Sequence, residues 1–272
     1  MSTISQLPKL DDLQPVSQDN ITEFQQKGHT LICGVLSADE MAVYRPIIVS
    51  AAEKYNTEKR KMTDRDTYGK AFLQIMNLWR CDEEVKKFVL SKRLAKIAAD
   101  LMGVENVRIY HDQALFKEAG GGPTPWHQDQ YYWPIDTNNT ITLWMPLVDI
   151  DVDMGMLTFA SGSFKNGAVF DFEISDESES AFDDYVQNQK FPITRAQVMK
   201  AGDATFHRGF TIHNAPGNQS DKMREVMTII YVADGARVSE PKHSWQRNDH
   251  QKWLMGKPVG ELVDSELNPK VL

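Results

Sequence analysis

The second half of this chain is a succession of short β-branched and aromatic runs, and that pattern constrains its fold more than any other feature. VRIYHDQALF from residue 107, TITLWMPLVDI from 140, MLTFASGS from 156, DATFHRGFTIH from 203 and EVMTIIYVA from 225 follow one another. Gly, Pro, Asn and Asp punctuate them, as they punctuate strands and turns. Several short strands at irregular, turn-marked spacing predict a sandwich, barrel or jelly roll. The first hundred residues read differently. A polar start carrying Pro8 and Pro15 leads to a helical stretch at about 18–27, with Ile21 and Phe24 on one face. Ser37 and Glu40 form a capping box for a helix running to about Tyr55, with only Pro46 against it. Residues 57–70 are charged and irregular. Helical spacing resumes at 82–102 through Val85, Val89, Leu94, Ile97, Ala98 and Leu101, and Gly103 stops it.

The expected architecture is mainly β with flanking α-helices, in one domain spanning 1–272. A helical flank covers about 18–103, a β core about 104–235 and a C-terminal tail 236–272. The acidic segment 171–190 reads as a solvated insertion between strands, with a lid over the site as the competing role.

Charge narrows the partners. With 30 Lys+Arg against 38 Asp+Glu, the net charge of −8 argues against nucleic acid and against an anionic membrane surface. Cys33 and Cys81 are the only cysteines, too few for a disulfide framework or a thiolate metal site. The opening MSTISQLPKL lacks a basic region followed by an apolar one, and no stretch approaches the roughly 18 apolar residues of a spanning helix. The expectation is a cytoplasmic protein with a small-molecule substrate.

Chemistry concentrates in PWHQDQYYWP. On a strand, His127 and Asp129 face the same way, because side chains alternate with a period of two. One remote His completes a 2-His-1-carboxylate triad, which leaves positions on Fe(II) for substrates and oxygen. The dyad alone is equally a surface His beside a solvated Asp. Its context adds Gly120-Gly121-Gly122-Pro123 before it and His213 two strands later, with Arg224 opening the next strand. A guanidinium there can hold a dicarboxylate bidentately at a distance from the metal. His207 competes for the distal ligand position. Spacing to Arg224 favours His213 and leaves His207 as a packed histidine behind the site. His111 and Asp112 are adjacent, so on a strand they point oppositely and make a poor dyad. Tyr131, Tyr132 and Trp133 directly follow the dyad and are candidates for a substrate wall, one that suits a cationic group.

WHQDQYYWP, TLWMPLVDI with MGMLTFASGS, FHRGFTIHNAPGNQSDKMR and RIYHDQALFKEAGG together resemble the phytanoyl-CoA dioxygenase family of Fe(II)- and 2-oxoglutarate-dependent oxygenases, over roughly 105–235. The resemblance implies a double-stranded β-helix (jelly-roll, cupin-like) core. It implies His127, Asp129 and His213 as iron ligands, and Arg224 as partner of the distal carboxylate of 2-oxoglutarate. Gln113 and Trp144 match co-substrate positions, and Gln74 is a further candidate of that kind. O2 is the second co-substrate, and hydroxylation of a C–H bond with release of succinate and CO2 the implied reaction. Two departures stand out: Ala215 replaces a hydroxyl residue common in the family, and Phe164 replaces a histidine in the turn Ser161-Gly162-Ser163. The competing readings are a metal-dependent cupin-like isomerase or hydrolase, which has no need of Arg224, and a non-catalytic jelly-roll binding module.

Overall fold

The computed structural model describes residues 7–170 and 176–272. The chain opens with α1 (Gln18–Lys27), capped by the Ser17 side chain, which accepts from the Asn20 amide, and closed by Gly28 in the left-handed region. Strand β1 (His29–Ile32) follows, then α2 (Ala38–Tyr55), whose capping box between Ser37 and Glu40 is formed in both directions. Pro46 lies inside α2 without ending it. Residues 57–70 are not wholly irregular: a 3-10 turn (Met62–Asp64) precedes a short α3 (Thr67–Ala71). Next come β2 (Leu73–Met76) and α4 (Leu78–Cys81). The helical span expected at 82–102 breaks in two, α5 (Glu83–Val89) and α6 (Lys92–Met102). The Asp82 carboxylate caps α5, and Gly103 ends α6 at φ 72°. The apolar positions of α6 are all buried, so periodicity found the right face even where it missed the break.

The β core comprises β3 (Val107–Phe116), β4 (Thr124–His127), β5 (Thr140–Pro146), β6 (Ile150–Asp151), β7 (Thr158–Ala160), β8 (Ile193–Arg195), β9 (Val198–Met199), β10 (Ala204–Arg208), β11 (His213–Ala215) and β12 (Val226–Ala233). Two helices complete the fold, α7 (Asp176–Gln189) and α8 (Ser244–Trp253). A six-stranded antiparallel sheet runs β1-β10-β5-β12-β3-β2, a four-stranded sheet runs β4-β11-β7-β8, and β6 pairs with β9. This is the expected jelly-roll. The helical flank is more than a flank, however, since it supplies both edge strands of the larger sheet, β1 and β2.

Strand β5 is buried along its whole length and serves two environments. Ile141, Leu143 and Met145 join Ile229, Tyr231 and residues of α2, α5 and α6 in the main core. Thr142 and Trp144 face the other way, into the space between the sheets. Covering one face with helices stabilises the fold by about 25 cal/mol per Å² of apolar surface removed from water and leaves the opposite face for polar chemistry.

The acidic segment departs from expectation. Its described part is helical, and α7 buries Phe182 and Val186 against Trp126, Ala160 and Ile212. The Glu179 carboxylate accepts from the Trp126 amide one residue before His127. Residues 171–175 of that segment lie outside the described residues. The stretch expected as a tail folds back: Val238, Leu254 and Val263 pack with Tyr110 and Trp133 in a second apolar cluster. No helix among the described residues is long and apolar enough to cross a membrane.

Candidate active site

A cavity of about 530 Å³ opens between the two sheets. His127 ends β4 and Asp129 begins a 3-10 turn (Asp129–Tyr132), so the dyad straddles a strand end instead of lying along one strand. His213 is paired across β11–β4 directly with His127. His207 and His213 belong to different sheets, because the chain turns at Gly209 and Phe210 between β10 and β11. One ligand-capable atom from each of His127, Asp129 and His213 lies within 4.8 Å of the others.

Hydrogen bonds select the orientation of each group. His127 Nδ1 sits 2.8 Å from the Pro125 carbonyl and His213 Nδ1 2.9 Å from the Thr211 carbonyl. A carbonyl only accepts, so each Nδ1 carries a proton, which directs Nε2 rather than Nδ1 toward a metal. Both Nε2 atoms face Asp129 Oδ1, at 3.4 and 3.7 Å. The other carboxylate oxygen, Oδ2, accepts from Thr142 Oγ1 at 2.9 Å and from His207 Nε2 at 3.1 Å. Burial holds the His213 pKa well below its usual range. Burial alone pushes Asp129 up, yet the surrounding His213, His127 and His207 rings hold it well below the usual carboxylate range. Neutral imidazoles and an ionised carboxylate are the protonation states that bind a metal.

Arg224 closes the other end. It is among the largest fully buried side chains of the fold, yet among the described residues no carboxylate pairs with it. Its Nη1 donates to the Gly155 carbonyl, its Nε has no partner, and its guanidinium stands 5.3 Å from the Trp144 ring. Burial lowers its pKa to about 9. Lys117, which exchanges backbone hydrogen bonds with Arg224, is equally buried and spends its ammonium on the Gly122 carbonyl. Burial and the neighbouring Arg224 lower the Lys117 pKa to about 6. A buried guanidinium without a counter-ion is costly, and a carboxylate-bearing ligand removes that cost. The donor set of two imidazoles and a carboxylate, with this orphaned cation beyond it, fits Fe(II) and 2-oxoglutarate.

The sheet registers place the remaining candidates. Trp144, Thr228, Gln113 and Met76 are successive partners across β5, β12, β3 and β2, and all four line the cavity. Gln74 donates to Gln113 Oε1 at 2.6 Å on the same wall. His207, Thr142, Ile230 and His111 form the next row, beneath Asp129. Asp112 points away from the cavity and accepts from the Leu78 and Trp79 amides, as the opposite facing of adjacent strand residues requires. Tyr132 and Trp133 line the cavity. Tyr131 does not: the 3-10 turn swings it out to stack on His243 at 4.1 Å, which corrects its expected place in the substrate wall.

The sequence model of the phytanoyl-CoA dioxygenase family matches residues 24–226. The chain belongs to the phytanoyl-CoA dioxygenase family. It is thus a 2-oxoglutarate-dependent non-haem iron dioxygenase. A probable alpha-ketoglutarate-dependent hypophosphite dioxygenase of Stutzerimonas stutzeri is 25% identical over 79% of this chain and 78% of its own length. A phytanoyl-CoA dioxygenase of Arabidopsis thaliana is 29% identical over 62% of this chain and 59% of its own. Among solved structures, the carbocyclase SnoK from nogalamycin biosynthesis superposes with a TM-score of 0.78 at 24% identity, covering 94% of this chain and 97% of that one. The structure of EctD from S. alaskensis with 2-oxoglutarate and 5-hydroxyectoine gives 0.66 at 17% identity, covering 88% of this chain and 86% of that one. These likenesses confirm the jelly-roll fold of this family member.

Sequence reasoning missed two contributors. Lys117 hides at the end of an apolar run, where burial of a lysine is not the expected outcome. Helix α8 lines the cavity through Trp245, Asn248, Asp249, Lys252 and Trp253. Its signal was present: 245, 249 and 253 stand four apart on one helical face, and 248 and 252 repeat the interval.

Proposed function

We propose that this dioxygenase hydroxylates an unactivated C–H bond of a small-molecule metabolite, releasing succinate and CO2. The observation that carries the reading is the pairing of the His127, Asp129 and His213 donor set with a buried Arg224 that has no counter-ion among the described residues. His127, Asp129 and His213 hold Fe(II). Arg224 takes the distal carboxylate of 2-oxoglutarate, with Trp144 against the guanidinium and Gln113 and Gln74 on the adjoining wall. Bound iron and 2-oxoglutarate supply O2 activation and the oxidising power for C–H cleavage.

The chain's own residues supply positioning and exclusion. Thr142 and His207 hold Asp129 Oδ2, so Oδ1 stays directed at the two Nε2 atoms. The Pro125 and Thr211 carbonyls fix the imidazole tautomers. Trp144, Leu157 and Ala215 make a dry wall on the co-substrate side. Tyr132 and Trp133 border the side left for the substrate. A carboxylate at 129 fills the position that a halide would need, which supports hydroxylation over halogenation. The two exposed free cysteines and the acidic surface suit a cytoplasmic enzyme.

The test is succinate release from 2-oxoglutarate in the presence of Fe(II), O2 and a metabolite library, with mass spectrometry of the stimulating compound. A product heavier by one oxygen atom, labelled from 18O2, is expected. Coupled turnover whose organic product never carries the added oxygen would overturn hydroxylation.

A further inference from the structure

The end of the cavity away from Arg224 is built for a charge of the opposite kind. Register shifts in β3–β12 between Ile230 and Tyr231: Ile230 pairs with His111 and Tyr231 with Ile109, which leaves Tyr110 as an extra residue. Such a bulge re-aims side chains beside active sites. Here Ile109 stays with the helices while Tyr110 joins the cluster around Trp133, and His111 lines the cavity. The Tyr110 hydroxyl donates to Asp249 Oδ2 on α8 at 3.2 Å. Asp249 is only 8% exposed, lines the cavity, and has no cationic partner within ion-pair distance among the described residues.

Aromatic rings surround this carboxylate. Trp253 lies 5.7 Å from the His111 ring, Trp133 5.5 Å from Tyr110, and Tyr132 meets Trp245 edge-on at 6.0 Å. His111 is 3% exposed, its Nδ1 has no partner, and burial lowers its pKa to about 3, so it stands neutral and adds no repulsion to a cation. Lys252 at the exposed rim places its Nζ 5.5 Å from the centre of the Trp253 ring. Ring faces attract cations through their quadrupoles, most strongly when water is excluded. Burial raises the Asp249 pKa to about 7 despite the Tyr110 hydrogen bond and the nearby Lys252, so a positive group seated among these rings would favour its ionised form.

From these contacts we infer that the cavity takes a substrate bearing an alkylammonium group, seated among Tyr132, Trp133, Trp245 and Trp253 with Asp249 as counter-ion. The inference rests on the oxygenase reading above and names the substrate class of that same site. Such a substrate would lie across the metal centre from 2-oxoglutarate, its cation at Asp249 and the co-substrate's distal anion at Arg224. The net charge of −8 favours its approach.

The experiment uses the full chain loaded anaerobically with Fe(II) and 2-oxoglutarate. It is titrated with choline and, separately, with the neutral isostere 3,3-dimethylbutan-1-ol, reading tryptophan fluorescence and calorimetric heat. Choline should bind at least about tenfold more tightly than the isostere, since only the charge differs. Asp249→Asn should cut that ratio to about twofold, and Trp245→Ala at the exposed rim should weaken choline more than the alcohol. The rim variant keeps the test decisive if the buried one fails to fold. Equal affinities, no choline binding, or a ratio unchanged in both variants would overturn the inference. The visible charge-transfer band of the Fe(II)–2-oxoglutarate complex separates the two claims. A band without choline selectivity overturns the ammonium site alone, and absence of the band overturns the oxygenase reading beneath it.

Discussion

Replacing Arg224 by methionine separates the two halves of the site. The substitution keeps a long apolar stem and deletes a guanidinium that is 2% exposed and bonded only to the Gly155 carbonyl through its side chain. Losing a bidentate, charge-assisted contact to a carboxylate costs about 3 kcal/mol, or roughly 100-fold in Kd for 2-oxoglutarate. The apo protein should not suffer. Burial lowers the folded Arg224 pKa from its ordinary value to about 9, so its unfavourable burial is present in full below that pH. It fades only as pH rises above about 9 toward the ordinary arginine range, where the unfolded state binds more protons. At pH 7.5 the variant should therefore melt no lower than wild type without ligand.

The assay is thermal unfolding with Mn(II) in place of Fe(II), with and without 2-oxoglutarate. At 100 times its Kd, 2-oxoglutarate stabilises the wild type by about 2.7 kcal/mol. For a chain of 272 residues this is a rise of about 5 °C in Tm. The same concentration is near the variant's Kd and should give about 0.4 kcal/mol, under about 1 °C. An undiminished shift in Arg224→Met would refute the assignment of Arg224. A loss of Mn(II) affinity instead would refute the division of roles between Arg224 and the triad.

Three further outcomes follow from the geometry. Thr142→Val and His207→Phe each free one contact to Asp129 Oδ2, and each should weaken metal binding about 10- to 100-fold in a chelator competition without moving the 2-oxoglutarate Kd at saturating metal. Gly155→Ala should lower Tm, because the residue sits at φ 79° and an added Cβ would meet the Pro216 carbonyl oxygen at 2.5 Å; a cost of about 1–3 kcal/mol is expected by thermal or urea unfolding. Burial lowers the His29 pKa to about 4, so the stability this neutral ring contributes is complete above pH 6.5 and is lost as pH falls toward 4; the stability difference between wild type and His29→Gln should shrink across that window in urea titrations.

Much of this fold was legible because its signals are local. The Ser37–Glu40 box and Gly103 mark helix ends through backbone groups within a few residues of themselves. The β core was legible because β-branched and aromatic runs leave few other options, and the candidate triad because His127, Asp129 and His213, which the fold brings together, keep a recognisable order. What escaped depends on distant partners. His29–Ile32 and Leu73–Met76 are too short to announce strands and exist because β10 and β3 pair with them. Tyr131 left the substrate wall because a 3-10 turn, with its three-residue period, replaces strand alternation after Asp129. Helix α8 was passed over as a tail, since its polar average concealed one face carrying Trp245, Asp249 and Trp253. The acidic segment was read by charge, and its buried Phe182 and Val186 were outvoted.

The central claim is that His127, Asp129 and His213 hold the iron while Arg224 holds 2-oxoglutarate beside it. Anaerobic visible spectroscopy tests it most directly. Wild-type protein with Fe(II) and 2-oxoglutarate should give the weak charge-transfer band of the chelate, and His127→Ala and His213→Ala should give none. His207→Ala should retain the band at saturating Fe(II). A band that survives loss of His127 or His213, or that vanishes only with His207, would contradict the account.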